Sequence, residues 1–220
     1  MVNHYFLIGS GGLLGKKIFE YFKKKENITK ISAREYVGLK TDFDRKKFII
    51  KKITNSISKY KSAKVALIFA HRIRDNNIVN AINSEILITR NITKIFSETC
   101  LETRVVVLGS VTGRLIDKNS LESYHYSKDI QKSIVRHSIK HNNVFMNLIE
   151  LYQFEKYEKY KQDKKYVKFL NKVKSVIGTK YLLNINDIVL FLECIINLDR
   201  PPRGQILTYD SGHSLYQSYF

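Results

Sequence analysis

The chain of 220 residues has no tryptophan, two prolines and two cysteines, and these scarcities exclude several classes of protein. Cys100 and Cys194 are too few for a disulfide framework or a zinc site built on thiolates, so we expect reduced thiols and no metal. No apolar run approaches the roughly 20 residues of a membrane-spanning helix. The opening residues, MVNHYFLIGSGG, lack the basic segment and long apolar stretch of an export signal. The sequence therefore predicts a cytoplasmic protein with no membrane partner.

Positive charge is abundant, with 38 lysines and arginines against 20 acidic residues and a net charge of +18. Such an excess is compatible with a polyanionic partner, and a nucleic-acid-binding protein is one interpretation of it. The lysines are nevertheless spread along most of the chain, and they interleave with aromatic residues only over 153–176. No nucleic-acid recognition motif accompanies them. We therefore expect a generally basic surface and no specific nucleic-acid partner.

Short apolar runs alternate with segments of helical spacing along the chain. Buried strands are predicted over 4–8, 28–33, 64–70, 104–110, 143–149 and 205–209. Helices are predicted over 13–25, 44–59, 76–99, 120–141, 153–176 and 185–198. Strands that alternate with helices in this way indicate an α/β fold with a doubly wound parallel sheet. The length suits a single domain over 1–220.

Glycines concentrate between the first predicted strand and the first predicted helix. Gly9, Gly12 and Gly15 lie in the segment GSGGLLGKK that joins these two elements. In this context one glycine permits a tight turn, a second lets the backbone approach a pyrophosphate, and a third lets helix and strand pack closely. The amides at the helix N-terminus, including those of Leu13 and Leu14, then face the phosphates. The turn predicts a dinucleotide-binding site, although a plain strand–helix turn also favours glycine.

A tyrosine and a lysine stand four residues apart in the helix predicted over 120–141. Tyr124 and Lys128 share one face of that helix, so the ammonium can sit beside the phenol and lower its pKa. An unperturbed tyrosine titrates near about pH 10, and a lower pKa makes proton transfer to or from an alcohol practical. Ser110 ends the preceding strand, at the edge of the sheet where ligands bind. Its hydroxyl can hold a substrate carbonyl there.

These motifs, in this order, resemble those of the short-chain dehydrogenase/reductase family, and the resemblance runs along the whole chain. The Gly-x-x-Gly-x-x-Gly spacing is similar to that of its extended and atypical branches, whereas the length fits its shorter branch. The segment from Arg203 to Gly212 resembles the family's closing Gly-Gln…Asp-Gly-Gly marker. The resemblance implies a Rossmann fold, a nicotinamide cofactor and interconversion of a carbonyl and a secondary alcohol. It implies that Tyr124 donates and accepts the proton, that Lys128 also holds the nicotinamide ribose, and that Ser110 polarises the carbonyl.

The end of the second predicted strand bears on which nicotinamide cofactor is bound. An NAD enzyme usually carries an acidic residue there for the ribose hydroxyls, whereas this chain has Arg34, followed by Glu35. A guanidinium pairs with a 2′-phosphate in a bidentate way. We therefore expect NADP(H), with NAD(H) as the alternative.

The resemblance implies further site residues and an assembly. Asp42 resembles the family aspartate that contacts adenine, and Ala70 and His71 stand where the family often has an Asn-Asn-Ala-Gly turn, which is not intact here. Asn83 matches the asparagine that in many members holds a water for proton relay. Family members usually pair through the helices before and after the serine strand, so we expect a homodimer or homotetramer built on 76–99 and 120–141.

The segment after the strand predicted over 143–149 departs from the family pattern. Leu151 and Tyr152 stand where the family usually has Pro-Gly, and a basic, tyrosine-rich segment occupies the region of the substrate lid, about 151–180. Such a lid suits an anionic substrate with a flat ring. A nucleotide-linked sugar of bacterial polysaccharide biosynthesis and an acyl carrier protein both fit this description. A solvated amphipathic helix with no ligand fits it equally well.

Two other functions stay open on the sequence. A catalytically idle member of the fold would bind a nucleotide as a sensor or scaffold, and the intact Ser110, Tyr124 and Lys128 argue against it. A sugar epimerase or dehydratase is possible within the same fold, but such enzymes usually need a longer substrate region. The leading hypothesis is an NADP(H)-dependent oxidoreductase that acts on a small, anionic molecule.

Overall fold

The fold is described from a computed structural model of the chain. It describes residues 2–25, 27–73, 75, 77–110, 122–151, 171 and 184–209, and gives only the backbone of residues 60, 110, 122–125 and 139. Most of the lid predicted over 151–180, its helix over 153–176 and the tail residues Asp210 to Gly212 lie outside the described residues.

Six parallel strands form one sheet, which confirms the predicted doubly wound α/β architecture. The strands are β1 (His4–Ile8), β2 (Ile28–Ile31), β3 (Lys64–Phe69), β4 (Glu102–Ser110), β5 (Val144–Leu151) and β6 (Ile206–Tyr209). Their order across the sheet is β2-β1-β3-β4-β5-β6, and every neighbouring pair is parallel. Each strand lies within a residue or two of the apolar run that predicted it, because burial on both faces requires a continuous run.

The described helices follow the predicted alternation. They are α1 (Leu13–Lys23), α2 (Ala33–Gly38), α3 (Asp42–Ser56), α4 (Ile78–Glu85), α5 (Ile92–Thr99), α6 (Glu122–His137) and α7 (Ile185–Asn197). A π-helical turn, Ile86–Asn91, joins α4 to α5, so the long helix predicted over 76–99 is one element with a widened turn inside it. Among the described residues, no helix has the length and apolarity to cross a bilayer.

The sheet separates two cores, because successive strand residues point to opposite faces. On one face, Phe6 and Leu67 pack with Phe96 of α5 among the buried residues. On the other face, Leu7 packs with Phe22 of α1. Burying each of these large side chains stabilises the fold by about 1.5–3 kcal/mol before entropy is counted. Helices therefore pack on both faces of the sheet and hold the strands in place, so residues at its carboxyl edge have a rigid support.

The chain changes direction across the sheet at β1. The chain runs from β1 to β2 on one side of β1, and then to β3 on the other side of β1. The helices that follow β1 and β3 lie on opposite faces of the sheet. A backbone hydrogen bond from Ala70 N to Ile8 O, 2.8 Å long, extends this pairing to the carboxyl edge. In open α/β sheets, ligands bind in the crevice outside such a switch point. The glycine turn that follows β1 lies at this place.

The segment after β2 differs from the prediction. The strand predicted over 28–33 ends at Ile31, and the Ser32 hydroxyl accepts a hydrogen bond from Glu35 N at 3.1 Å, which starts α2. Arg34 therefore lies in the first turn of a helix and not at a strand end. Residues 27–73 are described without a gap, and between β2 and β3 they form no strand. The doubly wound dinucleotide-binding sheet has the strand order 3-2-1-4-5-6, in which a third strand lies at the edge beside the second. This chain has no such strand between residues 27 and 73.

Candidate functional site

The glycine turn is packed tightly against the end of β3. Gly9 has φ +95°, and a Cβ built on it would lie 2.4 Å from His71 N. A Cβ on Gly15 would lie 2.2 Å from Gly9 O. Both positions exclude a side chain, one by backbone conformation and both by close approach. The structure therefore brings together Gly9, Gly15, Ala70 and His71, which the sequence analysis assigned to one cofactor site.

The opposite side of the same turn is open. A Cβ on Gly12 would meet no atom of the described residues within 4 Å. Gly12 is also the N-cap of α1, where no side chain caps the helix and no acidic residue stands in the first turn. The first-turn amides, which belong to residues such as Leu13 and Leu14, thus face no competing anion of their own helix. These features fit the pyrophosphate of a dinucleotide.

Arg34 and Asp42, predicted to contact the adenosine half of the cofactor, are both on the surface. Arg34 is exposed in the first turn of α2, next to the exposed Glu35. Asp42 begins α3, with its side chain 86% exposed and its Oδ1 2.8 Å from Arg45 Nη1. It follows a helix rather than a strand. Arg34 lies close in sequence to the carboxyl end of β2, the place from which a ribose-binding residue is usually supplied.

Lys128 is buried at the carboxyl end of β4. It is 6% exposed, and its Nζ donates hydrogen bonds to Leu108 O at 3.2 Å and to Gln131 Oε1 at 2.9 Å. Burial lowers the pKa of Lys128, and repulsion from Arg72 adds to this, whereas attraction to Glu85 opposes it. The helix α6 thus places an ammonium group next to the strand that ends in Ser110.

The other two predicted catalytic residues stand in the matching elements. Ser110 is the last residue of β4, the fourth strand of the chain, and Tyr124 lies one helical turn before Lys128 in α6. For Ser110 and Tyr124 the structure describes the backbone only. Tyr126, between Tyr124 and Lys128 in sequence, is 49% exposed. Ser110 therefore ends the strand that Lys128 contacts, and Tyr124 is one helical turn from Lys128 along α6.

Asn83 does not lie in this cluster. Its side chain is on the exposed face of α4, whereas Glu85, two residues later, is fully buried. The Glu85 carboxylate lies 3.0 Å from His71 Nε2, and it accepts hydrogen bonds from Ser127 Oγ at 2.8 Å and from Gln131 Nε2 at 2.7 Å. Glu85, Ser127 and Gln131 were not predicted from the sequence. Gln131 could have been found from its spacing, because it follows Lys128 by three residues and so lies on the same face of the helix.

Glu85 is ionised in this environment. Burial by itself would raise its pKa, but attraction to His71 and Lys128, together with the hydrogen bonds it accepts from His71 and Thr89, lowers the pKa to about 2. An ionised carboxylate only accepts hydrogen bonds, so Nε2 of His71 is the donor in this contact. The other ring nitrogen, Nδ1, is buried with no hydrogen-bond partner in the described part of the chain. The cluster is therefore built around one buried negative charge.

Metal ligands are not grouped in this region. No three histidine, cysteine or acidic side chains of the described residues are placed to hold a metal ion.

Cys100 is buried, and burial raises the pKa of its thiol to about 12. That thiol is therefore a poor nucleophile at neutral pH.

No protein-family model and no curated protein matches the sequence. Solved structures do match the fold. A small-chain dehydrogenase in complex with NADPH has a TM-score of 0.66 at 12% identity, covering 96% of this chain and 98% of its own. The 3-alpha-hydroxysteroid dehydrogenase from Pseudomonas sp. B-0831, complexed with NADH, has a TM-score of 0.64 at 11% identity, with coverages of 94% and 95%.

A third match has a different activity in its name. The UDP-N-acetylglucosamine 4-epimerase from Bacillus cereus has a TM-score of 0.59 at 15% identity, covering 96% of this chain and 80% of that chain. At such identities the likeness concerns the fold and leaves the reaction to be argued from the site. The fold of this chain is the Rossmann fold of the short-chain dehydrogenase/reductases.

Proposed function

We propose that the chain is an NADP(H)-dependent oxidoreductase of the short-chain dehydrogenase/reductase type, which interconverts a carbonyl and a secondary alcohol. The observation that carries the proposal is the buried ammonium of Lys128, hydrogen-bonded to Leu108 O two residues before the end of β4. Tyr124 precedes it by one helical turn, and the glycine turn lies at the same carboxyl edge. A phenol, an ammonium and an anion-binding turn together suit proton transfer beside a bound dinucleotide.

Each residue has a distinct task in this proposal. A bound nicotinamide supplies or accepts the hydride. Tyr124 protonates the carbonyl oxygen in reduction and takes the proton back in oxidation. Lys128 lowers the pKa of that phenol and binds the nicotinamide ribose, because its ammonium favours the phenolate and donates hydrogen bonds. Ser110 donates a hydrogen bond to the carbonyl oxygen.

Cofactor binding tests this function directly. We expect NADPH to bind more tightly than NADH, because a 2′-phosphate can pair with the exposed Arg34 guanidinium. Arg34→Ala should weaken NADPH binding by about 10- to 150-fold, which corresponds to the loss of about 1.5–3 kcal/mol for a charge-assisted contact, and should leave NADH binding unchanged. Titration of cofactor fluorescence measures both affinities. Arg136→Ala, which removes another exposed arginine, is the matched control.

Two results would contradict different parts of this proposal. Equal affinities for NADPH and NADH in the unmodified chain would overturn the preference for NADP(H) and the role of Arg34 in it. Binding of neither cofactor would overturn the oxidoreductase assignment as a whole.

The substrate class that we propose is anionic. The support is the basic, tyrosine-rich composition of the predicted lid, where lysines can pair with phosphate or carboxylate and tyrosines can stack on a ring. A nucleotide-linked sugar has both groups, and an acyl carrier protein has the charge alone. Turnover of ketones of nucleotide-linked sugars, assayed with each nicotinamide cofactor, would favour the first class, and the same assays detect epimerisation.

One observation favours a second function, a catalytically idle nucleotide-binding scaffold. Two hydrogen bonds already tie the Lys128 ammonium to protein acceptors, Leu108 O and Gln131 Oε1. A lysine held in this way can be structural. An idle scaffold would bind the dinucleotide but would show no turnover that depends on Tyr124.

We also propose that the chain forms a homodimer or homotetramer through α4–α5 and α6. Two apolar side chains are exposed on these helices, Val79 at 63% and Tyr126 at 49%. Light scattering should give at least twice the mass of one chain at micromolar concentration, because burying such residues is favourable. Val79→Glu should shift the mass towards that of the monomer, whereas Phe43→Glu, at an exposed site on α3, should not. A monomeric unmodified chain would contradict the proposal.

A further inference from the structure

A buried polar cluster lies behind the candidate catalytic lysine, and the proposed function leaves it unexplained. Its centre is Glu85, at the end of α4, with no exposed surface. Hydrogen-bond donors reach its carboxylate from three other parts of the chain: His71 after β3, Thr89 in the π-helical turn, and Ser127 and Gln131 in α6. Burying a carboxylate is expensive unless it is paired and hydrogen-bonded, so these four donors explain how the charge is tolerated. They do not explain why a charge is there.

Gln131 connects this carboxylate to Lys128. Its amide oxygen accepts a hydrogen bond from Lys128 Nζ at 2.9 Å, and its amide nitrogen donates one to Glu85 Oε1 at 2.7 Å. All three side chains are buried. The amide dipole is therefore oriented favourably towards both ions, with its negative end at the ammonium and its positive end at the carboxylate.

The charges around Lys128 show why a buried carboxylate is needed there. Burial favours the neutral form of a lysine, and the positive charge of Arg72 acts in the same direction. On α6 itself, Asp129 is exposed, and the ammonium of Lys132 is paired with Glu150 of β5. Within the described residues, Glu85 is the fully buried carboxylate that faces Lys128.

The widened turn after α4 contributes to the cluster. The π-helical turn Ile86–Asn91 follows Glu85 directly, and Thr89 within it donates to Glu85 Oε1. Turns of this type occur frequently at functional sites, where they re-aim side chains of a helix. The turn thus adds a donor on the carboxylate, in addition to those from His71 and α6.

We propose that Glu85 is a positioning residue, which through Gln131 keeps the ammonium of Lys128 protonated and directed at the cofactor and Tyr124. This inference rests on the proposed function, because it gives Glu85 its role through Lys128. Among the described side chains, the other ionisable groups that bear on this pair are His71, which contacts Glu85, and Arg72, whose charge acts on Lys128. A structural role alone would stabilise the fold and leave the protonation of Lys128 unchanged.

The test measures the protonation of Lys128 without any cofactor. In protein labelled with 13C and 15N at lysine, the Lys128 signal is identified by its loss in Lys128→Met and followed from pH 6 to pH 11. Glu85→Gln and Gln131→Met should both move its titration to lower pH, because each interrupts the link to the carboxylate charge. Ser127→Ala removes a hydrogen bond to Glu85 Oε2 and leaves that link intact, so it should not move the titration.

A second measurement connects the cluster to binding. The affinity of the unmodified chain for NADPH should change little between pH 7 and pH 9, whereas that of Glu85→Gln should fall over this range, because a larger share of its Lys128 is neutral at pH 9. Gln131→Met provides the same comparison if Glu85→Gln does not fold, which circular dichroism shows. Rescue by Glu85→Asp is not expected, because the shorter side chain does not reach Gln131.

The outcomes separate the two proposals. If the Lys128 titration is the same in Gln131→Met as in the unmodified chain, the positioning role is wrong, whatever the reaction is. If Lys128→Met leaves NADPH affinity intact, or the chain binds no nicotinamide cofactor, the proposed function fails. A displaced titration in Ser127→Ala, equal to that in Gln131→Met, would show a general loss of packing and would also overturn the positioning role.

Discussion

Tyr124→Phe should lower turnover by about 10²- to 10⁴-fold, the usual contribution of a general acid–base catalyst. The change removes one oxygen and leaves the ring, so folding and NADPH affinity should stay close to those of the unmodified chain. Tyr126→Phe is a matched control, because Tyr126 lies two residues further along α6 and is half-exposed. Steady-state rates with an identified carbonyl substrate, together with NADPH titration, measure both effects.

Two companion variants separate the roles at this site. Lys128→Ala should lower both turnover and NADPH affinity, because its ammonium acts on the phenol and on the ribose. Ser110→Ala should lower turnover and leave NADPH affinity nearly unchanged, because its hydroxyl contacts the substrate alone. Undiminished turnover in Tyr124→Phe would show that the chemistry occurs elsewhere. A chain that binds NADPH and turns over no carbonyl substrate would instead favour the idle-scaffold function.

Alanine at Gly9 or Gly15 should destabilise the whole fold, whereas alanine at Gly12 should not. At Gly15 the added methyl would lie 2.2 Å from Gly9 O, and overpacking of this kind usually costs about 1–3 kcal/mol. At Gly9 the methyl would meet His71 N at 2.4 Å, and the left-handed backbone adds about 1–2 kcal/mol. Chemical denaturation of the three variants measures these losses.

Gly12→Ala distinguishes stability from binding. Gly12 has an extended backbone, with φ −78° and ψ 170°, and its Cβ would enter open space, so the free energy of unfolding should change by about 0.5 kcal/mol or less. The methyl would nevertheless occupy the space through which the backbone approaches a pyrophosphate. NADPH affinity should therefore fall by about tenfold or more, near 1.4 kcal/mol. A stable Gly15→Ala variant, or unchanged NADPH affinity in Gly12→Ala, would contradict the geometry proposed for this turn.

The strands were predictable from sequence because a strand that is buried on both faces consists of consecutive apolar residues. The run from Val65 to Ala70 is apolar without interruption, and β3 (Lys64–Phe69) has its five apolar residues buried. The predicted strand over 28–33 was two residues too long, because Ser32, the N-cap of α2, still has an extended backbone. Ser32 and Glu35 have the spacing of a capping box, which is the signal that places the start of α2.

The candidate site was predictable only in part. Tyr124 and Lys128 are close in sequence, and a helix places them together, so their spacing was informative. Glu85 was not found, because a carboxylate on a helix is normally solvated and this one is buried by partners from distant segments. The π-helical turn also escaped prediction, since the apolar spacing over 76–99 is compatible with a regular helix.

The short edge strand β2 has a consequence for how the protein behaves when concentrated. Its four residues form the outermost strand on that side of the described sheet, and the exposed Lys30 stands among them. Long, flat and apolar sheet edges recruit strands from other molecules and so begin aggregation. An edge this short, with a charge on it, offers a poor template for such growth. The chain can therefore dispense with an outer strand on this side without exposing a surface prone to fibril formation.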